Sequence, residues 1–62
     1  MNAEGLVNIS QAVAHGNQRR VKNFKTQKQG VVVHVEGEGL TVSLGSDTEI
    51  WVYKDCEEIT LQ

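Results

Sequence analysis

Few side chains in this chain are capable of chemistry, and their spacing limits what they can do. Cys56 is the only cysteine, His15 and His34 are the only histidines, and five of the six Lys and Arg residues fall in one run, GNQRRVKNFKTQKQG, at 16–30. A nucleophilic cysteine needs a lowered pKa, but Cys56 lies beside Asp55, Glu57 and Glu58, whose charges raise the pKa of a thiol. Neither histidine has further ligands at metal-binding spacing, and a zinc site generally takes four clustered N, S or O donors. The turn Gly37-Glu38-Gly39 carries acid and leads into no helix, so it cannot be read as a phosphate cradle. The expectation is a chain with no catalytic residue, no metal and no cofactor.

The basic run suits a different task. Arg19, Arg20, Lys22, Lys25 and Lys28 are interleaved with the amides Asn17, Gln18, Asn23, Gln27 and Gln29, and Phe24 sits among them. Cations and amides match phosphate oxygens, and an aromatic ring offers a stacking surface to an unpaired base. Arg19, Arg20, Lys22, Phe24, Lys25 and Lys28 are therefore the candidate nucleic-acid contacts. Charge distribution supplies a competing use for them. Residues 1–30 carry five cations against Glu4, a balance of +4, whereas residues 31–62 carry Lys54 against seven acids, a balance of -6. The run would then be counter-charge for the rest of the same molecule or for a neighbouring copy.

Positioning these residues requires a small fold. A chain of 62 residues is one domain, 1–62, near the size at which a hydrophobic core alone can offset chain entropy. No apolar run approaches the roughly 20 residues needed to cross a bilayer, and the amino terminus lacks the basic and apolar regions of a secretory signal, so a cytoplasmic protein is expected. Leu6, Ile9, Ala12 and Val13 recur at helical spacing and Gly16-Asn17 is a stop signal, which predicts a short helix over 4–15. Residues 16–30 then form a basic strand and loop, with a strand at 20–25 to account for Val21 and Phe24. Residues 31–62 read as a β-meander. VVVHV, LTVSL and EIWVY at 31–35, 40–44 and 49–53 are strands separated by turn residues, and 58–61 is a short final strand.

Alternation divides these strands into two faces. Val31, Val33, Val35, Leu40, Val42, Leu44, Ile50, Val52, Ile59 and Leu61 form the expected core. Val32, His34, Thr41, Ser43, Glu49, Trp51 and Tyr53 fall on the other face. Trp51 and Tyr53, with His34, are candidate protein-interface residues there, unless the helix stripe covers Trp51.

The stretch GVVVHVEGEGLTVSLGSDTEIWVYKDCEEITL resembles the small SH3-like barrels of the Tudor and KOW class. In these a Gly-x-Val-Val opens a strand, a Val-x-Leu strand follows a hairpin, and a Trp-Val strand leads through a one-turn break into an acidic, Ile/Leu-containing end. The resemblance implies an SH3-like antiparallel barrel of four to five strands that binds proteins or nucleic acids without doing chemistry; the short N-terminal helix lies outside the resembling stretch, and with it the expected fold is mainly β. Together with the basic loop this gives the expectation of a non-enzymatic binding module, an accessory or regulatory factor contacting nucleic acid or a nucleoprotein machine. The alternative is a protein–protein interaction module, either a self-associating subunit or an acidic inhibitor of a basic protein.

Overall fold

The computed structural model describes residues 1–59; the expected core residue Leu61 lies outside them. One helix, α1 (Ala3–Ala14), precedes five strands: β1 (Arg19–Asn23), β2 (Gln29–Glu36), β3 (Gly39–Ser43), β4 (Thr48–Val52) and β5 (Cys56–Ile59). A single 3-10 turn, Tyr53–Asp55, joins the last two. The protein is thus mainly β with one short N-terminal helix.

Each end of α1 is closed by its own sequence. The side-chain oxygen of Asn2 accepts the Gly5 N–H at 2.8 Å, which satisfies one of the free donors of the first turn. At the other end Asn17 N–H donates to the Ala12 carbonyl and Gly16 N–H to the Val13 carbonyl, the paired bonds of a Schellman stop. Between the caps, Ile9 and Ala12 are buried, and Leu6 and Val13 pack beside them. The stripe lies against β2 and β1.

The five strands form one antiparallel sheet in the order β4-β3-β2-β1-β5, curled into a half-barrel, with β4 and β5 at its two edges. Its core joins Ile9 of the helix to Val21, Val32, Leu40, Val42, Trp51 and Cys56. Strand β2 passes between the two halves of the sheet and is bulged. Val32 stands opposite Val42 but His34 stands opposite Thr41, so Val33 is the extra residue and the inward phase changes across it.

The bulge and the hairpin registers correct the expected faces. Val32 and Trp51, assigned to the outer face, are buried at 2% and 4% exposure, whereas Ile50 and Val52, assigned to the core, are 76% and 49% exposed. Val33 is exposed as well, and Val31 and Ile59 are half-buried. Leu40 and Val42 are buried as expected, with Val35 and Leu44 packed against the core.

Candidate nucleic-acid interface

Strand β1 and the turn after it carry all six candidate nucleic-acid contacts, with Lys28 ending the turn. Asn23 fixes this segment. Its side chain is buried, and its Oδ1 accepts the N–H groups of Lys25 at 2.8 Å and Thr26 at 3.2 Å. Asn23 N–H donates to the Lys28 carbonyl, Gln27 N–H donates to the Asn23 carbonyl, and Phe24 N–H donates to the Asp55 carbonyl. A side chain bonding to its own downstream backbone in this way makes a closed turn. Residues 24–28 are accordingly a short, pinned connection between β1 and β2, and Phe24, expected within the strand, lies in this turn. Gln27 completes the turn with a positive φ of 62°.

The cations divide into two groups. Arg19 reaches Glu58 at 3.1 Å, Lys25 reaches Asp55 at 3.5 Å and Lys28 reaches Glu49 at 2.9 Å. These three bonds tie the basic run to β5, the 3-10 turn and β4, so much of the charge division in the sequence is neutralised within the fold. Exposed ion pairs of this kind contribute little each. The Lys25 pair is the longest of the three, on a side chain that remains 75% exposed. Arg20 and Lys22 make no ion pair among the described residues. They lie two residues apart on β1, hence on one face of the sheet, opposite Val31 and Gln29 of β2. Glu57 of β5 is the cross-strand neighbour of Lys22, yet the two are not within ion-pair distance.

Phe24 follows Lys22 at the strand exit and is 49% exposed. Arg20 and Lys22 on β1 are thus followed by an exposed aromatic ring in the turn that leaves the strand. Arg20 also borders an open groove of about 240 Å³ with Gln29, Gly30, Val31, Ser43, Leu44 and Gly45. Gly30 is among its lining residues, and there β2 and β3 leave no room for a side chain. A Cβ there would lie 2.4 Å from Val42 Cγ1 and 2.6 Å from the Ser43 carbonyl oxygen.

The candidate protein-interface residues do not converge. Trp51 is in the core and donates its Nε1–H to Glu49 Oε1 at 2.8 Å, so it is not an exposed platform. Tyr53 is half-buried in the 3-10 turn and packs against the core. His34 is exposed on the outer face, 3.7 Å from Glu36. The outward apolar residues that sequence reasoning missed are Ile50 and Val52. Turn length was the signal for them: the connections 37–38 and 44–47 hold two and four residues, and an even number puts residues of opposite parity on the same face of adjoining strands.

Among the described residues two ionisable groups, Glu49 and Cys56, are perturbed. Glu49 is held below its ordinary value of 4.5, first by the Lys28 hydrogen bond and then by the Trp51 N–H. Cys56 is pushed up, above all by burial; the Met1 ammonium, which donates to the Tyr53 and Cys56 carbonyls, opposes the shift, and Asp55 adds to it. A buried, neutral thiol is the opposite of an activated nucleophile. Among the described residues no group of three His, Cys, Asp or Glu side chains is arranged to hold a metal, and no helix is long and apolar enough to cross a membrane.

No family model, no curated protein and no solved structure matches this chain.

Proposed function

We propose that the protein is a small, non-enzymatic SH3-like binding module that contacts single-stranded nucleic acid through the outer face of β1 and the turn after it. The strand order and the one-turn break between β4 and β5 support the SH3-like reading. The functional reading is carried by one observation. Phe24 keeps half its surface open to solvent at the exit of a strand whose outer face bears Arg20 and Lys22, two cations without an acidic partner among the described residues.

Each part has a task. Arg20 and Lys22 meet phosphates, Lys25 can exchange its long, exposed bond to Asp55 for a third, and Phe24 stacks on a base. Arg19 and Lys28 are already engaged by Glu58 of β5 and Glu49 of β4.

Fluorescence anisotropy with a labelled single-stranded oligonucleotide tests the proposal. Three phosphate contacts at about 0.7 counterions each give a salt slope near 2, so a fourfold rise in salt should weaken binding roughly 20-fold. Phe24→Ala should weaken binding by about 5- to 150-fold, from the ~1–3 kcal/mol of one base–aromatic stack. Arg20→Ala/Lys22→Ala should remove most of the salt dependence, while Arg19→Ala leaves it nearly unchanged. Binding that is absent at low salt, or indifferent to the Arg20 and Lys22 changes, rules the proposal out.

A further inference from the structure

A second surface lies at the sheet edge formed by β4, apart from the β1 face. Edge strands are normally guarded by lysine, proline, a bulge or an inward-pointing charge, because their unpaired N–H and C=O groups invite another strand. β5, the other edge, carries Glu57 and Glu58. β4 reads Thr48-Glu49-Ile50-Trp51-Val52, and its one charge is held by Lys28 and by the Trp51 N–H. With that charge compensated, Ile50 and Val52, the largest apolar side chains β4 shows to solvent, project beside an edge that carries no lysine, proline or bulge.

The hydrogen-bond phase of β4 can be followed from its ends. Tyr53 N–H donates to the Glu38 carbonyl, and the Asp47 carbonyl accepts from Leu44 N–H, so the odd-numbered residues turn their backbone groups toward β3. Alternation then directs the N–H and C=O groups of Thr48, Ile50 and Val52 to the open side. We propose that β4 pairs antiparallel with β4 of a second copy across a two-fold axis at Ile50. Ile50 then exchanges both backbone bonds with its own counterpart, and Thr48 does so with Val52 of the other copy. Ile50 and Val52 of both chains form one apolar cluster on the outer face, since direct and diagonal cross-strand neighbours touch.

Charge at the strand ends supports the same partner and direction. Asp47 precedes β4 and Lys54 follows it; both are exposed, and neither makes an ion pair among the described residues. Antiparallel pairing brings the start of one strand to the end of the other, so each Asp47 approaches the Lys54 of the second copy. This contact is isologous and closes at two chains.

Sedimentation equilibrium of the full chain over a range of concentrations tests the inference, with amide exchange as a second readout. The expected species is a dimer, with the Thr48, Ile50 and Val52 amides protected only at concentrations where the dimer forms. Ile50→Lys alters a side chain that is 76% exposed, so it should leave the monomer folded while weakening association at least about tenfold. Asp47→Lys should weaken association, and the double variant Asp47→Lys/Lys54→Asp should restore it. A monomer at all concentrations, an assembly larger than two chains, a dimer untouched by Ile50→Lys, or a charge swap without rescue would each overturn the pairing.

Discussion

Replacing Gly30 with alanine probes the closest backbone approach in the sheet. The new methyl would lie within 3 Å of three atoms: Val42 Cγ1 at 2.4 Å, the Ser43 carbonyl oxygen at 2.6 Å and Leu44 Cδ2 at 2.9 Å. The Val42 and Leu44 methyls can move only by displacing the core they pack into, and the Ser43 carbonyl belongs to the β3 backbone. Overpacking of this kind costs about 1–3 kcal/mol, and a backbone obstacle places Gly30 at the upper end. The alanine also restricts the unfolded chain, which returns about 0.4–1 kcal/mol. The net loss is close to 2 kcal/mol, and for a domain of this size each kcal/mol shifts Tm by about 4–8 °C. Thermal unfolding followed by circular dichroism should therefore show Tm lowered by roughly 8–16 °C. A Tm that is unchanged or raised would refute the close approach of β2 to β3 at Gly30.

Two further outcomes follow from the perturbed groups. Because the folded-state pKa of Glu49 lies below 4.5, its bonds to Lys28 and Trp51 stabilise the protein above that pH, and the contribution disappears as pH falls through the lowered value. Denaturant midpoints measured from pH 6 down to pH 3 should decline, and Glu49→Gln should decline less over the acidic part of the range; equal slopes would show that the bonds are not formed in solution. Cys56 is fully buried and neutral, so modification by a thiol reagent at pH 8 should be slow in the native protein and should accelerate with denaturant along the unfolding curve. Rapid stoichiometric labelling without denaturant would contradict its place in the core.

The order of elements was largely legible from the sequence. Helix spacing and the Gly16-Asn17 stop locate α1 to within a residue at each end, and the three β-branched runs recover β2, β3 and β4. Strand phase was less accessible, for reasons that particular residues explain. Val31, Val32 and Val33 are chemically identical, so the sequence offers no alternation there to indicate which of them points inward. The bulge at Val33 then changes the phase within one strand. In β4, Ile50 and Val52 compete with Trp51 for the inner face, and hydrophobicity alone favours neither set. Turn length decides between them: Leu40 and Val42 face inward, so across the four-residue connection 44–47 their partners are Trp51 and Glu49. Among the candidate site residues, the cluster of cations was visible, but which of them lose their charge to Glu58, Asp55 and Glu49 depends on contacts spanning up to 39 residues, beyond the reach of local pattern.

The turn held by Asn23 has a kinetic consequence. Its backbone is closed by a buried side chain as part of folding, so Phe24 and its neighbouring cations reach an encounter already in one arrangement. Association at this face should then be limited by diffusion and orientation, without a slower step in which a loop reorganises, and bimolecular rates should rise linearly with ligand concentration instead of levelling off.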